Sequence, residues 1–182
     1  MASSNLTAQD RYDRVTVVFH WLTALLVVAL FGTAVAWGYL GRDWHQSLEW
    51  VHVSLGIALA AVLIGRLVWR LSAGRKLPAI GSSLTKPLSL LVHALLYVLL
   101  IAQVGLGFSL RWLQGEAFSF FGLFSIPDPL TPDRALSHQI ENIHNFVGWT
   151  LIYVAAAHAF AALFHRYVLK DGVMRRMLPV AR

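Results

Sequence analysis

The chain has 182 residues, 57% of them hydrophobic and 13% charged, with a formal net charge of +6. A soluble domain of this length needs more surface charge, and a nucleic-acid binder would spread its Lys and Arg along a solvated face instead of at the ends of apolar runs, so both classes are excluded. The absence of cysteine further excludes disulfides, thiolate iron–sulfur sites and Cys-x-x-Cys-His haem attachment.

Crossing about 30 Å of hydrocarbon takes about 20 helical residues, and four segments reach that length. The first runs from about Val15 to Leu40. Arg11 and Arg14 precede it, and Ala34-Val35-Ala36 has the small-x-small form of a signal cleavage site. The apolar run is nevertheless longer than a signal core and carries His20 and Trp21, which predicts a retained span. The second span runs from about Leu48 to Leu71 with His52 and Arg66, and the third from about Leu88 to Leu110 with His93. A connection from Arg111 to Gln139 follows, with Phe118, Phe120, Phe121 and Phe124 in its first half, and is expected to pack back on the outer membrane surface. The fourth span runs from about Ile140 to Val168 and carries His144 and His158. The expected fold is all-α: one domain over residues 1–182, an integral membrane four-helix bundle in contact with lipid and not with nucleic acid.

Orientation follows from the basic residues. Arg11, Arg14, Arg66, Arg70, Arg75, Lys76, Lys86, Arg166, Lys170, Arg175, Arg176 and Arg182 fall on one side, whereas only Arg42, Arg111 and Arg134 fall on the other. That bias places both termini in the cytoplasm.

A histidine inside a span is costly enough to suggest a functional role. His20 lies six residues after Arg14 and His158 eight before Arg166, roughly 9 and 12 Å inside the flanking charges. His52 and His144 each follow a glutamate, Glu49 and Glu141, by three residues on the outer half. His144 and His158 are 14 residues apart, close to four turns, so one helix offers a ligand to each of two layers about 21 Å apart. His93 shares the depth of His20 and His158, leaving three candidates for two inner positions. Arg66 follows His52 by the same 14 residues; it would either pair with a haem propionate at the inner layer or snorkel to the interface. Gly32, Thr33, Ala34, Gly56 and Gly148 supply small residues near the outer layer, as a macrocycle or close helix packing would need. His165 is too shallow for a central ligand, and His45 and His138 lie in outer connections.

Zinc needs three or four protein ligands, which two separated histidine pairs do not supply. Haem iron needs only two axial ligands, and filling both argues for electron transfer over oxygen activation. The pattern therefore predicts two b haems in layers.

The segments Arg14-Val15-Thr16-Val17-Val18-Phe19-His20-Trp21, His52-Val53-Ser54-Leu55-Gly56 and Gly65-Arg66-Leu67-Val68-Trp69-Arg70 resemble the prokaryotic cytochrome b561 family. So do Phe120-Phe121-Gly122-Leu123 and the stretch from His144 to Pro179. The resemblance covers nearly the whole chain. It implies an inner haem between His20 and His158 and an outer haem between His52 and His144, with iron bound by those four residues. It also implies a ubiquinone site near the inner haem, with His93, Arg14, His165 and Lys170 as candidates. Characterised members are superoxide oxidases that pass the electron to ubiquinone, and other relatives are haem-b anchors of hydrogenases and dehydrogenases. The expected function is thus superoxide:ubiquinone oxidoreductase, with a relay subunit serving a redox partner protein as the alternative. Arg42, Arg111 and Arg134 are the residues available to attract superoxide. A haem-free transporter or helix-packing protein is the reading from a different class, and a colourless protein would reveal it.

Overall fold

The structure is a computed structural model describing residues 11–75, 77, 85–116 and 118–178, without the Arg42 side chain. Lys76, Pro179 and Arg182 lie outside the described residues. Four long helices carry the chain: α1 Arg14–Tyr39, α2 Arg42–Ser72, α3 Thr85–Gln114 and α4 Arg134–Phe164. Each is long and apolar enough to cross a membrane. Apart from Arg66, the charges of α1 to α4, Arg111 and Glu49 among them, lie toward helix ends, as the cost of burying charge in lipid requires.

Polar caps place the helix starts. Asp13 precedes α1 and accepts the Thr16 backbone N–H at 2.8 Å and the Thr16 hydroxyl at 2.7 Å. Asp133 caps α4 in the same way, accepting from Leu136 N–H at 3.0 Å; such caps satisfy donors that the first turn leaves open. α1 continues unbroken through Ala34–Ala36. Both α2 and α4 begin six residues before their apolar runs, at Arg42 and not Leu48, and at Arg134 and not Ile140. The extra turns are polar and stand outside the hydrocarbon, where hydropathy carries no signal. Beyond Phe164, α4 widens into a π-helical turn, His165–Leu169, which ends at Lys170 in a left-handed conformation (φ 53°).

α1 packs along α2 and α3 along α4, while α2 touches α3 only sparsely, so the molecule is two helical hairpins laid side by side. Leu26, Leu59, Leu63, Leu100 and Leu151 form the buried cluster, one or two from each helix. Leu151 is seven residues from both His144 and His158, so this aliphatic layer lies midway between the two histidine depths. By contrast, Val18, Leu25, Val28, Ile64, Val68, Val98, Phe146 and Phe160 are exposed. Outward apolar side chains around a small core are what a lipid-facing bundle requires.

The outer connection folds as a short hairpin over the end of the bundle. Ser119–Phe120 and Phe124–Ser125 pair as a short antiparallel hairpin, β1 and β2, with Ser119 opposite Ser125. Phe118 is buried, its ring 4.6 Å from that of Phe108 and 6.2 Å from that of Trp112. The Phe121 backbone N–H donates to the Ser54 hydroxyl at 3.0 Å, and Ser54 is fully buried. The hairpin is therefore tied to α2 two residues from His52.

At the cytoplasmic end Asp13 gathers more partners: the Trp69 indole N–H at 3.0 Å and the Arg75 backbone N–H at 3.1 Å. Burial pushes its carboxyl upward, but the hydrogen bonds from Thr16, Arg75 and Trp69 outweigh that and bring it down to about 2. The chain after α4 returns to α1, where Trp21 donates to the Met177 carbonyl at 2.8 Å.

Candidate functional site

Two histidine pairs face each other across the seam between the helical hairpins. At the outer layer, His52 of α2 and His144 of α4 have ring centroids 6.5 Å apart and planes inclined at 76°. At the inner layer, His20 of α1 and His158 of α4 are 6.4 Å apart and inclined at 71°. A metal–imidazole bond is about 2.0–2.1 Å and the ring centre lies about 1.1 Å behind the nitrogen, so two rings on opposite sides of one metal have centroids about 6.3 Å apart. Both pairs suit a shared metal.

The four rings are held differently. His52 Nδ1 lies 3.0 Å from the Leu30 carbonyl and 3.0 Å from the Thr33 hydroxyl, both on α1. A proton on Nδ1 satisfies these acceptors and leaves the Nε2 lone pair for a metal. The Trp37 ring flanks His52 at 5.1 Å. His144 Nε2 is 3.1 Å from Gln103 Nε2, and its Nδ1 is buried with no hydrogen-bond partner. A Cβ at Gly107 would stand 3.3 Å from His144 Cε1, and one at Gly148 would stand 3.1 Å from Gln103 Nε2. Gly107 and Gly148 thus let α3 and α4 close on these side chains. A Cβ at Gly32 or Gly56 would meet no described atom within 4 Å. Paired rings at bridging distance, an orphaned imidazole nitrogen and open ground at small residues fit a flat haem with two axial ligands.

The inner layer contains three histidines. His93 of α3 stands 5.2 Å from His158, closer than two rings on opposite faces of one haem would be. Its Nδ1 donates to the Ser89 carbonyl at 2.6 Å. Among the described residues, neither His20 nor His158 makes a hydrogen bond. Arg66 turns its Nε–H to the Tyr97 hydroxyl at 2.9 Å, with its guanidinium carbon 5.0 Å from the Tyr97 ring centre. It belongs to the inner layer, since Tyr97 is one turn along α3 from His93 and a Cβ at neighbouring Gly65 would stand 3.1 Å from the ring of Phe19, next to His20. Of the other cytoplasmic candidates, His165 pairs through Nδ1 with the Asp171 carboxylate, whereas Arg14 and Lys170 are exposed.

Of the outer arginines, Arg111 is not open to an approaching anion. Arg111 is only 14% exposed, and its Nη1 lies 2.6 Å from both Glu49 Oε1 and Glu116 Oε2. Two carboxylates therefore cancel its field, which corrects the expectation that it attracts an anion. Arg134 is exposed, and the Arg42 side chain lies outside the described residues. His138 is exposed beside Glu141, and His45 adjoins Trp37.

Sequence reasoning overlooked Gln103, Tyr97, Ser54 and Asp171. Gln103 had a usable signal, as an amide in the middle of an apolar span. Tyr97 had a weaker one, one turn from His93.

A family model described as prokaryotic cytochrome b561 matches residues 11–180. "Cytochrome b561 homolog 2" of Escherichia coli (strain K12) is 30% identical over 173 residues, which cover 93% of this chain and 92% of that protein. "Cytochrome b561 homolog 1" of the same strain is 30% identical over 174 residues, covering 93% and 98% respectively. "Probable superoxide oxidase CybB" of Yersinia pestis is 28% identical over 178 residues, covering 94% and 98%.

Proposed function

The chain belongs to the prokaryotic cytochrome b561 family, and from that premise we propose that it moves single electrons through two b haems from a periplasmic donor to ubiquinone. It is a multi-pass protein of the bacterial inner membrane with oxidoreductase function. The proposed iron ligands are His20 and His158 for the inner haem and His52 and His144 for the outer. The observation that carries the reading is the pair of ring spacings, 6.4 and 6.5 Å, at two depths of one bundle. A bound b haem would supply a one-electron centre. The chain supplies the rest: α4 sets the depths through His144 and His158, α1 orients His52 through Leu30 and Thr33, and the leucine layer keeps water from the middle.

Superoxide is the proposed donor, a reading supported by the name of the Yersinia pestis relative. Two superoxide ions would each lose one electron and leave as dioxygen. One ubiquinone would gain both electrons and two cytoplasmic protons, with His93, Arg14, His165 and Lys170 as the candidate residues around it. A second reading, a basic redox protein as donor, is favoured by the outer charge. Six carboxylates, Asp43, Glu49, Glu116, Asp128, Asp133 and Glu141, share that side with three arginines, and Arg111 is already paired. Visible spectra of the detergent-purified protein decide between them. Reduced b-haem bands that appear on adding a superoxide source and vanish with quinone support the first reading. Bands that ignore superoxide and respond to dithionite leave the relay and discard superoxide.

A further inference from the structure

The two histidine pairs resemble each other in spacing but differ in what surrounds them, and each difference acts on an added electron in the same direction. The Arg66 guanidinium lies at the inner layer: its partner Tyr97 is one turn along α3 from His93, whose ring is 5.2 Å from that of His158, and a Cβ at neighbouring Gly65 would stand 3.1 Å from the ring of Phe19, next to His20. The guanidinium is fixed by the Tyr97 hydroxyl, 2.9 Å from Nε, and by the Tyr97 ring, 5.0 Å from its central carbon. A fixed cation in a low-dielectric site favours the state with one more electron. At the outer layer, His52 donates from Nδ1 to a backbone carbonyl and a hydroxyl at 3.0 Å. An imidazole bonded in this way is a more basic ligand, which favours the oxidised metal. The inner rings make no such bond among the described residues. The surrounding charge follows suit, since carboxylates outnumber arginines on the outer side while the inner side holds twelve Lys and Arg.

We propose that Arg66, positioned by Tyr97, makes the inner haem the more readily reduced of the two, while the Leu30–Thr33 hydrogen bonds to His52 make the outer haem the less readily reduced. The chain thereby biases electron flow inward whichever one-electron donor acts outside. Each electron that enters at the outer ligands moves to the inner ones, and two such electrons with two protons convert a quinone to its quinol. The inference rests on the two-haem reading above. Arg66 and Tyr97 act through their field and placement and are positioning residues.

Redox potentiometry of the purified full-length protein tests this without a donor or a quinone. The wild type should titrate as two b-haem components, and His158→Ala should remove the higher. Arg66→Gln should lower the higher component and leave the other in place, whereas Arg66→Lys, which keeps the charge, should restore most of the loss. Tyr97→Phe keeps the ring but not the hydroxyl and should lower the same component by less. Thr33→Val should raise only the lower component. If Arg66→Gln moves the lower component, or neither, the bias does not come from Arg66 and the inference is overturned. A wild type that titrates as one haem overturns the two-haem reading itself, a different and recognisable failure.

Discussion

An inside-negative membrane potential should drive an electron shared between the two ligand pairs from the inner to the outer. His144 and His158 are 14 residues apart on one continuous helix, which at about 1.5 Å per residue is about 21 Å. Against about 30 Å of hydrocarbon, the electron crosses about 0.7 of the dielectric thickness. One charge moved through 100 mV is worth about 2.3 kcal/mol, so this path is worth about 1.6 kcal/mol per 100 mV. That is a roughly 15-fold change in the ratio of inner to outer reduced haem, at about 1.36 kcal/mol per decade. The assay is protein reconstituted in vesicles, poised half-reduced, with a potassium diffusion potential of chosen sign while the two haem bands are followed. Reversing the sign should reverse the shift. A distribution indifferent to the potential would mean that the pairs do not lie at different depths, and the layered account would fail.

Ionic strength separates the two donor classes. Because carboxylates dominate the outer face, added salt should speed reduction by superoxide, an anion, and slow reduction by a basic cytochrome; a superoxide rate that falls with salt would contradict the charge balance described here. Gly107→Ala places a Cβ where only 3.3 Å separates it from His144 Cε1. It should therefore alter the low-spin signal of the outer haem alone, and a disturbance of both haems or of neither would refute the assigned contact. Asp13, brought down to about 2 from a usual 3.8, stabilises the folded chain above about pH 4 and loses that contribution as pH falls toward 2. The thermal midpoint should consequently drop more steeply between about pH 4 and pH 2 in the wild type than in Asp13→Asn; parallel curves would remove Asp13 from the account.

The helices were legible because lipid demands an unbroken apolar run, and Val15–Leu40 and Leu88–Leu110 read as spans from that alone. The early starts of α2 and α4 were not, because Arg42–Ser47 and Arg134–Gln139 stand outside the hydrocarbon, where Gly41 and Asp133 place the helix ends. Depth was legible too, since offsets from Arg14, Arg166, Glu49 and Glu141 convert directly into ångströms along a helix. Azimuth was less so. His93 has the right depth, and only folded geometry shows it 5.2 Å from His158, too near for the two to hold opposite faces of one haem. The bonds from Tyr97 to Arg66 and from Phe121 to Ser54 join residues 31 and 67 positions apart. No local period encodes such contacts. The same is true of Arg111, whose neutralisation depends on Glu49 of another helix.

The central claim is that four histidines form two separate haem sites, and haem content per chain tests it most directly. The purified wild type should contain two b haems per polypeptide, with His144→Ala and His158→Ala each retaining one, and the two retained spectra should differ. A single haem in the wild type, or an undiminished content in either variant, would contradict the assignment.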